Sequence, residues 1–592
     1  MTRPLISPRD LAFLLYEWLD VVALTESDYF AEHSRETFDA VLDLSADIAA
    51  NYFAPHNRAA DLDPPRVDTN GTVVLIDDVK CALDAFNRAG LGASSFDEYV
   101  GGMQLPSVVN QACLSFFRAA NPSTIAYMFL TIGNANLLTE YGSAEQIDTW
   151  VRPLVDGRFF GTMCLSEPDA GSSLADISTK ATLATDGTYR ISGTKMWITG
   201  GDHEMSENIV HLVLAKIPGG ASGVKGISLF IVPKYLPDGR RNDVALVGLN
   251  HKMGNRGTTN ALLNFGDGTH PAADEPGAVG YLVGEAHQGL AYMFHMMNEA
   301  RIGVGLQATA TGYAGHLRSV EYAKTRIQGR PVGDKDPSRA QVTLIEHADV
   351  KRMLLAQKSY VEGALALGLY CTHLVDTARI TAGAEARSAD LLLDVLTPIA
   401  KSWPAQWCLE ANSLAIQIHG GYGYTTEFDV EQDYRDNRLN AIHEGTHGIH
   451  GLDLLGRKVV MRGGVGLKLL VETISRSVEK AITSDRIYRH AQDLSSAVHR
   501  LATVTGKLWD TGDVAVALAN STVYLEAAGH IVVAWMWLEQ LIAVGDKSGP
   551  FYEGKRAAAD YFYRYELPKT GPQLDLLGNL DRTTVDMQPD WF

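Results

Sequence analysis

The sequence predicts a mainly α-helical protein with one small β domain set in its middle. Apolar residues recur at helical spacing over long stretches toward both ends of the chain. Short runs of β-branched and apolar residues, broken by glycine turns, are confined to about 160–270. Proline is absent from the long stretches 288–326 and 341–380. With 592 residues the chain exceeds one ordinary domain, and ~100–200 residues per domain gives three or four.

In chain order, 1–158 reads as an N-terminal helical domain, with periodic stretches at 35–53 and 107–119 and breaks at Pro64-Pro65 and Gly101-Gly102. The central β domain spans 159–280, with strands expected at 189–199, 209–217, 227–233 and 244–249. Helices return over 281–462. There the stretch 388–418 carries Pro398 and Pro404 as expected breakers, and a glycine-rich turn follows at 420–428. A C-terminal helical extension fills 463–592, with helical patterns over 465–545 and a tail rich in Pro, Gly and Asp. No internal repeat is evident.

Composition narrows the function. Hydrophobic residues make up 46% and charged residues 20%, which is ordinary for a globular chain. The formal charge of −19, from 51 basic and 70 acidic residues, repels phosphate backbones and anionic lipid, so no nucleic-acid partner is expected. A polyanionic ligand has to find local cations. Five cysteines, Cys81, Cys113, Cys164, Cys371 and Cys408, are odd in number and scattered, which fits reduced thiols in a cytoplasmic protein. The apolar N-terminal stretch is interrupted by Asp10, Glu17 and Asp20, unlike a signal peptide. The segment 531–544 falls short of the ~18–20 residues a span needs and contains Glu539 and Gln540, so a buried helix and no stable membrane insertion are expected.

Three segments carry candidate chemistry. Met163-Cys-Leu-Ser-Glu-Pro-Asp-Ala-Gly-Ser-Ser173 combines small residues that let backbone N–H groups approach a ligand; a plain Gly/Ser turn has the same composition. Lys195-Met-Trp-Ile-Thr-Gly-Gly201 sets an aromatic beside a hydroxyl at a strand end, able to pack on a flat ring and bond its edge; a core tryptophan has the same pattern. Gln417-Ile-His-Gly-Gly-Tyr-Gly-Tyr-Thr-Thr-Glu-Phe428 leads to Tyr434-Arg-Asp436 and to Ala441-Ile-His-Glu-Gly-Thr-His447. There Glu444, flanked by Gly445 and a hydroxyl, suits base chemistry, although a lone glutamate is more often a solvated surface residue.

Taken together and in order over 120–455, these segments resemble the acyl-CoA dehydrogenase family. Cys164–Ser172 matches a C-(V/L)-(T/S)-E-P-x-A-G-S signature, Gly193–Gly201 matches G-x-K-x-W-I-T-N/G-G, and Gln417–Gly423 matches Q-x-x-G-G-x-G. Arg435-Asp436 with His443–Thr446 matches an R-D…Y-E-G-T signature. The resemblance implies a helical domain, a β-barrel-like domain and a helical bundle, with FAD as cofactor and an acyl-CoA substrate. It implies that Glu444 abstracts the α-proton, that the β-hydride goes to flavin N5, and that a trans-2-enoyl-CoA results. Ser166 would bond the flavin ring, Leu165, Gly171 and Ser172 would line the flavin or the CoA arm, and Trp197 and Thr199 would pack against and bond the cofactor. Arg326 and Gln328 would reach the FAD of the neighbouring subunit; the family's aromatic before glycine is missing after Arg326, which loosens the placement of Gln328. Gln417 and Gly421 would bind the partner's FAD pyrophosphate, and Thr446 would bind FAD beside the base. Asn298 and Arg301 would hold CoA, with Gly445 lining the substrate site.

Length and the C-terminal extension resemble the 3-methylmercaptopropionyl-CoA dehydrogenases and related bacterial members, in which the extension is helical and homodimers form. The implied substrate is 3-methylmercaptopropionyl-CoA or a short-to-medium fatty acyl-CoA, and the implied electron acceptor is an electron-transfer flavoprotein. An acyl-CoA oxidase would share the base and the flavin but pass electrons to oxygen. His443 departs from the family's usual tyrosine and spells His443-Glu-Gly-Thr-His447, an HExxH string with His450 nearby. On a helix that string reads as a zinc hydrolase, but glycine is rare inside such a helix, and no metal is expected.

Overall fold

The computed structural model describes residues 5–272, 275–333 and 336–592, and the chain divides into two compact units. One comprises 36–105 and 116–300; the other comprises 1–35, 106–115 and 301–592.

In the first unit, β1 (Arg66–Val67) and β2 (Val73–Val74) form a small antiparallel hairpin. The main sheet has eight strands: β3 (Phe159–Cys164), β4 (Lys180–Leu183), β5 (Tyr189–Thr199), β6 (Asn208–Lys216), β7 (Ile227–Pro233), β8 (Val244–Leu249), β9 (Asn260–Phe265) and β10 (Ala278–Leu282). The order β10-β7-β6-β4-β5 closes on itself because β10 pairs with both β7 and β5. Closure removes two exposed edges and encloses Ile191, Val213, Phe230, Val232 and Phe265. β9 and β8 continue outward from β5, and β3 lies parallel to β6. The four expected strands are present, the second of them one residue earlier at each end; β3, β4, β9 and β10 were not anticipated as strands.

The Pro122–Tyr141 helix packs on β3. Asn121 caps it by accepting from Thr124 N–H at 3.0 Å. Gly161 N–H donates to Thr131 Oγ1 at 3.0 Å, and Asn134 Nδ2 donates to Val210 O at 2.8 Å. A Cβ on Gly161 would lie 2.6 Å from that of Asn134, so the strand takes glycine where the helix crosses it.

The second unit is a helical bundle. The Gly289–Thr325 helix enters it at Arg301 and packs along Ala384–His419, with Ala348–Ile380 alongside the latter. The two prolines do not break Ala384–His419, which runs unbroken for 36 residues. Pro404 cannot donate to the carbonyl of Ala400, and Gly305 packs against that freed oxygen: a Cβ on Gly305 would lie 1.9 Å from it. Close packing of the Gly289–Thr325 helix thus covers the oxygen that a regular helix would have bonded. A Cβ on Gly312 would likewise lie 2.8 Å from that of Cys408, so the two helices touch closely there too.

The extension shares this core. Ser521–Val544 is, among the described residues, the one helix long and apolar enough to cross a membrane, and most of its apolar stretch is buried inside the bundle. Trp535 and Trp537 are fully buried on it, and Trp537 Nε1 donates to Ser359 O at 3.1 Å. The Pro/Gly/Asp-rich tail folds into the helices Pro550–Tyr561 and Thr570–Gly578. Lys555 on the first of these is fully buried. It pairs with Asp10 and, at 2.9 Å, with Glu362, and donates to Gln540 Oε1 at 2.9 Å.

Candidate active site

Four of the expected ligand contacts meet at one edge of the barrel. Leu165 and Ser166 follow β3, and Trp197 and Thr199 end β5. A bulge between Lys195 and Ile198 shifts the pairing with β9 and puts Trp197 at φ +67°, leaving its ring 59% exposed. Bulky residues rarely adopt that backbone, so something has to hold it. Met196 N–H donates to Ser166 O at 3.0 Å, and the buried Lys195 Nζ donates to Leu165 O at 2.9 Å and to Glu167 Oε1 at 3.0 Å. Glu167 also accepts from the backbone N–H and the hydroxyl of both Ser178 and Thr179. Burial pushes the Glu167 carboxyl up, but Lys195 and these donors overcome it and hold the group at about 2. Thr199 Oγ1 accepts from Asn260 Nδ2 at 3.3 Å. Gly171 and Ser172 are exposed on the loop after β3, with open space where a Gly171 side chain would project.

In the bundle, a ladder of buried amides leads to Glu444. Asn437 Nδ2 donates to Asn412 Oδ1 at 2.7 Å and to Ala308 O at 3.1 Å, and Asn440 Nδ2 donates to Asn437 Oδ1 at 3.0 Å. These bonds fix the end of the Val430–Arg438 helix, from which the chain turns. Glu444 follows at φ +54° and Gly445 at φ +96°. Thr446 then caps the His447–Asp453 helix, its Oγ1 accepting from Ile449 N–H at 3.4 Å. Lys401 Nζ donates to Gly445 O, and His450 Nε2 bonds Glu444 O at 3.0 Å. The half-buried Glu444 carboxylate makes no side-chain hydrogen bond among the described residues. Burial raises its pKa above the usual value, opposed by the charges of Arg301 and Lys401.

Arg301 is buried beside this turn and pairs with Asp453 at 3.3 Å, so its charge faces the carboxylate from the interior of the bundle. Asn298, one helical turn earlier, is half-buried. Arg326 and the 420–424 turn are brought together: both are exposed, and the Arg326 guanidinium lies 5.5 Å from the Tyr422 ring centroid. Gln417 and Gly421 are exposed on the same turn and its helix, and Gln328 is exposed with its carbonyl held by His347 Nε2 at 2.7 Å.

The HExxH reading fails on geometry. His443 and Glu444 lie in the turn, and the helix begins only at His447, so the two histidines do not share a helical face. His443 Nδ1 bonds Leu439 O at 3.1 Å and His447 Nδ1 bonds Ser402 Oγ. Burial lowers both rings to about 4. Two functional candidates escaped sequence reasoning, Lys401 and the Lys195–Glu167 pair. A lysine inside the apolar run Thr397-Pro-Ile-Ala-Lys-Ser-Trp403 is the signal that was available for the first.

Family models match three consecutive segments: "Acyl-CoA dehydrogenase, middle domain" over 162–267, "Acyl-CoA dehydrogenase, C-terminal domain" over 287–459, and "Acetyl-CoA dehydrogenase C-terminal like" over 470–588. The chain is 36% identical over 570 residues to the 3-methylmercaptopropionyl-CoA dehydrogenase of Ruegeria pomeroyi, covering 94% of each chain. It is 32% identical to the broad-specificity linear acyl-CoA dehydrogenase FadE5 of Mycobacterium tuberculosis, covering 99% of each. Among solved structures, an acyl-CoA dehydrogenase complexed with FAD from Bacillus anthracis superposes with a TM-score of 0.75 at 19% identity, over 98% of this chain and 93% of that one; this likeness speaks for the fold.

Proposed function

Because the chain belongs to the acyl-CoA dehydrogenase family and therefore carries out FAD-dependent dehydrogenation of an acyl-CoA, we propose that Glu444 is the base that removes the α-proton. One observation carries this assignment: Glu444 is a desolvated carboxylate with a raised pKa and no side-chain hydrogen bond among the described residues, in a turn whose backbone is held from the bundle. A carboxylate left bare in this way is a stronger base than one in water, because desolvation penalises the charge it gives up on taking a proton. The charges of Arg301 and Lys401 oppose that rise.

The barrel edge fits the cofactor. An exposed aromatic face at Trp197, hydroxyls at Ser166 and Thr199, and open backbone at Gly171 and Ser172 match a flat tricyclic ring with a polar rim. When bound, FAD supplies the acceptor for the β-hydride. Leu165, Ser166, Gly171, Ser172, Trp197 and Thr199 orient the ring. Arg326, Gln328, Gln417 and Gly421, all exposed, serve the FAD of a second copy in a homodimer, and Thr446 serves its own. Asn298, Arg301 and Gly445 line the acyl-CoA site.

The substrate is 3-methylmercaptopropionyl-CoA or a short-to-medium fatty acyl-CoA, a choice supported by what the two long relatives are named for. Electron-transfer flavoprotein is the acceptor and the cytoplasm the location, in keeping with the family. Anaerobic flavin bleaching with a panel of acyl-CoAs identifies the substrate, and dye reduction against peroxide release separates dehydrogenase from oxidase. Glu444→Gln is expected to keep its flavin and bind acyl-CoA while turnover falls by roughly 10²–10⁴-fold; turnover near wild type places the base elsewhere.

A further inference from the structure

The peptide carbonyls of Glu444 and Gly445 are each taken by a buried side chain, and neither side chain takes part in the proton or hydride transfer. Lys401, fully buried on Ala384–His419, donates to Gly445 O. His450, fully buried on His447–Asp453, bonds Glu444 O at 3.0 Å. Burial, aided by the charges of Lys401 and Arg301, holds the His450 ring well below its usual pKa. The ring is therefore neutral, and its single proton sits on Nε2 to meet the carbonyl. Its Nδ1 is buried without a hydrogen-bond partner among the described residues. This histidine accepts an unmet nitrogen in order to make one bond.

That bond matters because of the backbone. Two consecutive residues with positive φ, one of them a glutamate, form a conformation the chain leaves unless its neighbours hold it. The turn directs both carbonyls toward the interior, where an unmet acceptor costs about 1–3 kcal/mol. Gly445 completes the fit: a Cβ there would sit 2.7 Å from His450 Nε2.

We propose that Lys401 and His450 are positioning residues that clamp the two successive peptides after Glu444 and so hold the base carboxylate in one orientation. The proposal rests on the assignment of Glu444 as the base. Lys401 has a second effect through its charge. Burial lowers its pKa to about 7, Glu444 opposes that shift, and the same interaction lowers the pKa of Glu444. The groups facing the carboxylate are Arg301, partly neutralised by Asp453, then Lys401, and the neutral rings of His443, His447 and His450. Two cations therefore set its acidity, and Lys401 is the one without a carboxylate ion pair among the described residues.

The test uses holoenzyme. Lys401→Met is expected to lower kcat by roughly 10–100-fold, with the flavin spectrum unchanged and the acyl-CoA KM within about threefold. Losing the cation raises the pKa of Glu444, so the acid limb of kcat/KM moves to higher pH. His450→Phe lowers kcat without that limb shift, and His450→Gln, which restores an N–H donor, recovers part of the loss. If Lys401→Met loses flavin, the His450 pair decides. A Lys401→Met enzyme with wild-type kcat and acid limb, or His450→Phe and His450→Gln that behave alike, overturns the clamp. Glu444→Gln is measured in parallel. If it is inactive while the clamp variants are normal, the base stands and the clamp falls; if it is active, the base assignment itself falls.

Discussion

The barrel edge and the bundle turn both combine a buried lysine with a glutamate, beside a residue forced to positive φ, and they use the pair in opposite ways. At the barrel edge, Lys195 goes to the carboxylate of Glu167, and Ser178 and Thr179 supply the remaining donors. Every lone pair is met, the group stays ionised down to about 2, and the bulge carrying Trp197 is held. At the bundle turn, Lys401 and His450 go to peptide carbonyls and the Glu444 carboxylate is left bare. One arrangement makes a carboxylate chemically inert by satisfying it. The other fixes only the backbone beneath a carboxylate and leaves the group free to take a proton. Satisfaction of the carboxylate itself, more than its burial, separates a structural glutamate from a reactive one.

Exchanging charge for amide at both places is the sharpest way to break this comparison. Glu444→Gln removes roughly 10³-fold of turnover and leaves thermal stability close to wild type, because no hydrogen bond of that side chain is lost. Glu167→Gln strands Lys195 and costs about 3 kcal/mol of stability in denaturant titration, while turnover per flavin-loaded molecule changes far less. The reverse pattern would show that the two glutamates have been assigned the wrong way round.

Acid titration separates them next. The folded-state pKa of Glu167 is depressed, so its contribution to stability is complete above about 4.5 and is lost as pH falls toward about 2. The pKa of Glu444 is raised, so activity fails on its acid limb above 4.5, before the barrel weakens. Coincident loss of activity and of barrel structure, followed by kcat/KM and circular dichroism, would contradict this order. Gly445→Ala is expected to cost about 2 kcal/mol through its φ and its approach to His450, with reduced turnover. Smallest is His443→Tyr: the ring is half-buried and bonded to Leu439 O, and stability should stay within about 1 kcal/mol.

What the sequence revealed follows from how local each signal is. β5, β7 and β8 are legible end to end because long β-branched runs stop at glycine turns. β4 spans four residues and β10 five, too short to show alternation, and their pairing is set by barrel closure, which only the folded chain displays. Pro398 and Pro404 mislead because a helix break is a local expectation, and the approach of Gly305 to the freed Ala400 carbonyl comes from a residue about a hundred positions away. The site motifs are legible only together, through their resemblance in order to the family's signatures; each one alone also fits a plain turn, a core tryptophan or a surface glutamate. Lys401 stands out only as a lysine in an apolar run, and its role does not show, because its partner is a main-chain oxygen, and a carbonyl carries no letter in the sequence.

Lys555 joins the first and last parts of the chain. Asp10 and Glu362 are two carboxylates in a dry interior, and the ammonium between them arrives on a helix that begins at Pro550. Without that helix, Asp10 and Glu362 would share the interior with Lys358 as their nearby cation and without Lys555, so the bundle core depends on the last part of the chain. Cutting the chain before Pro550 would therefore strand the carboxylates at positions 10 and 362, and replacing both with apolar residues of similar volume would relieve that cost.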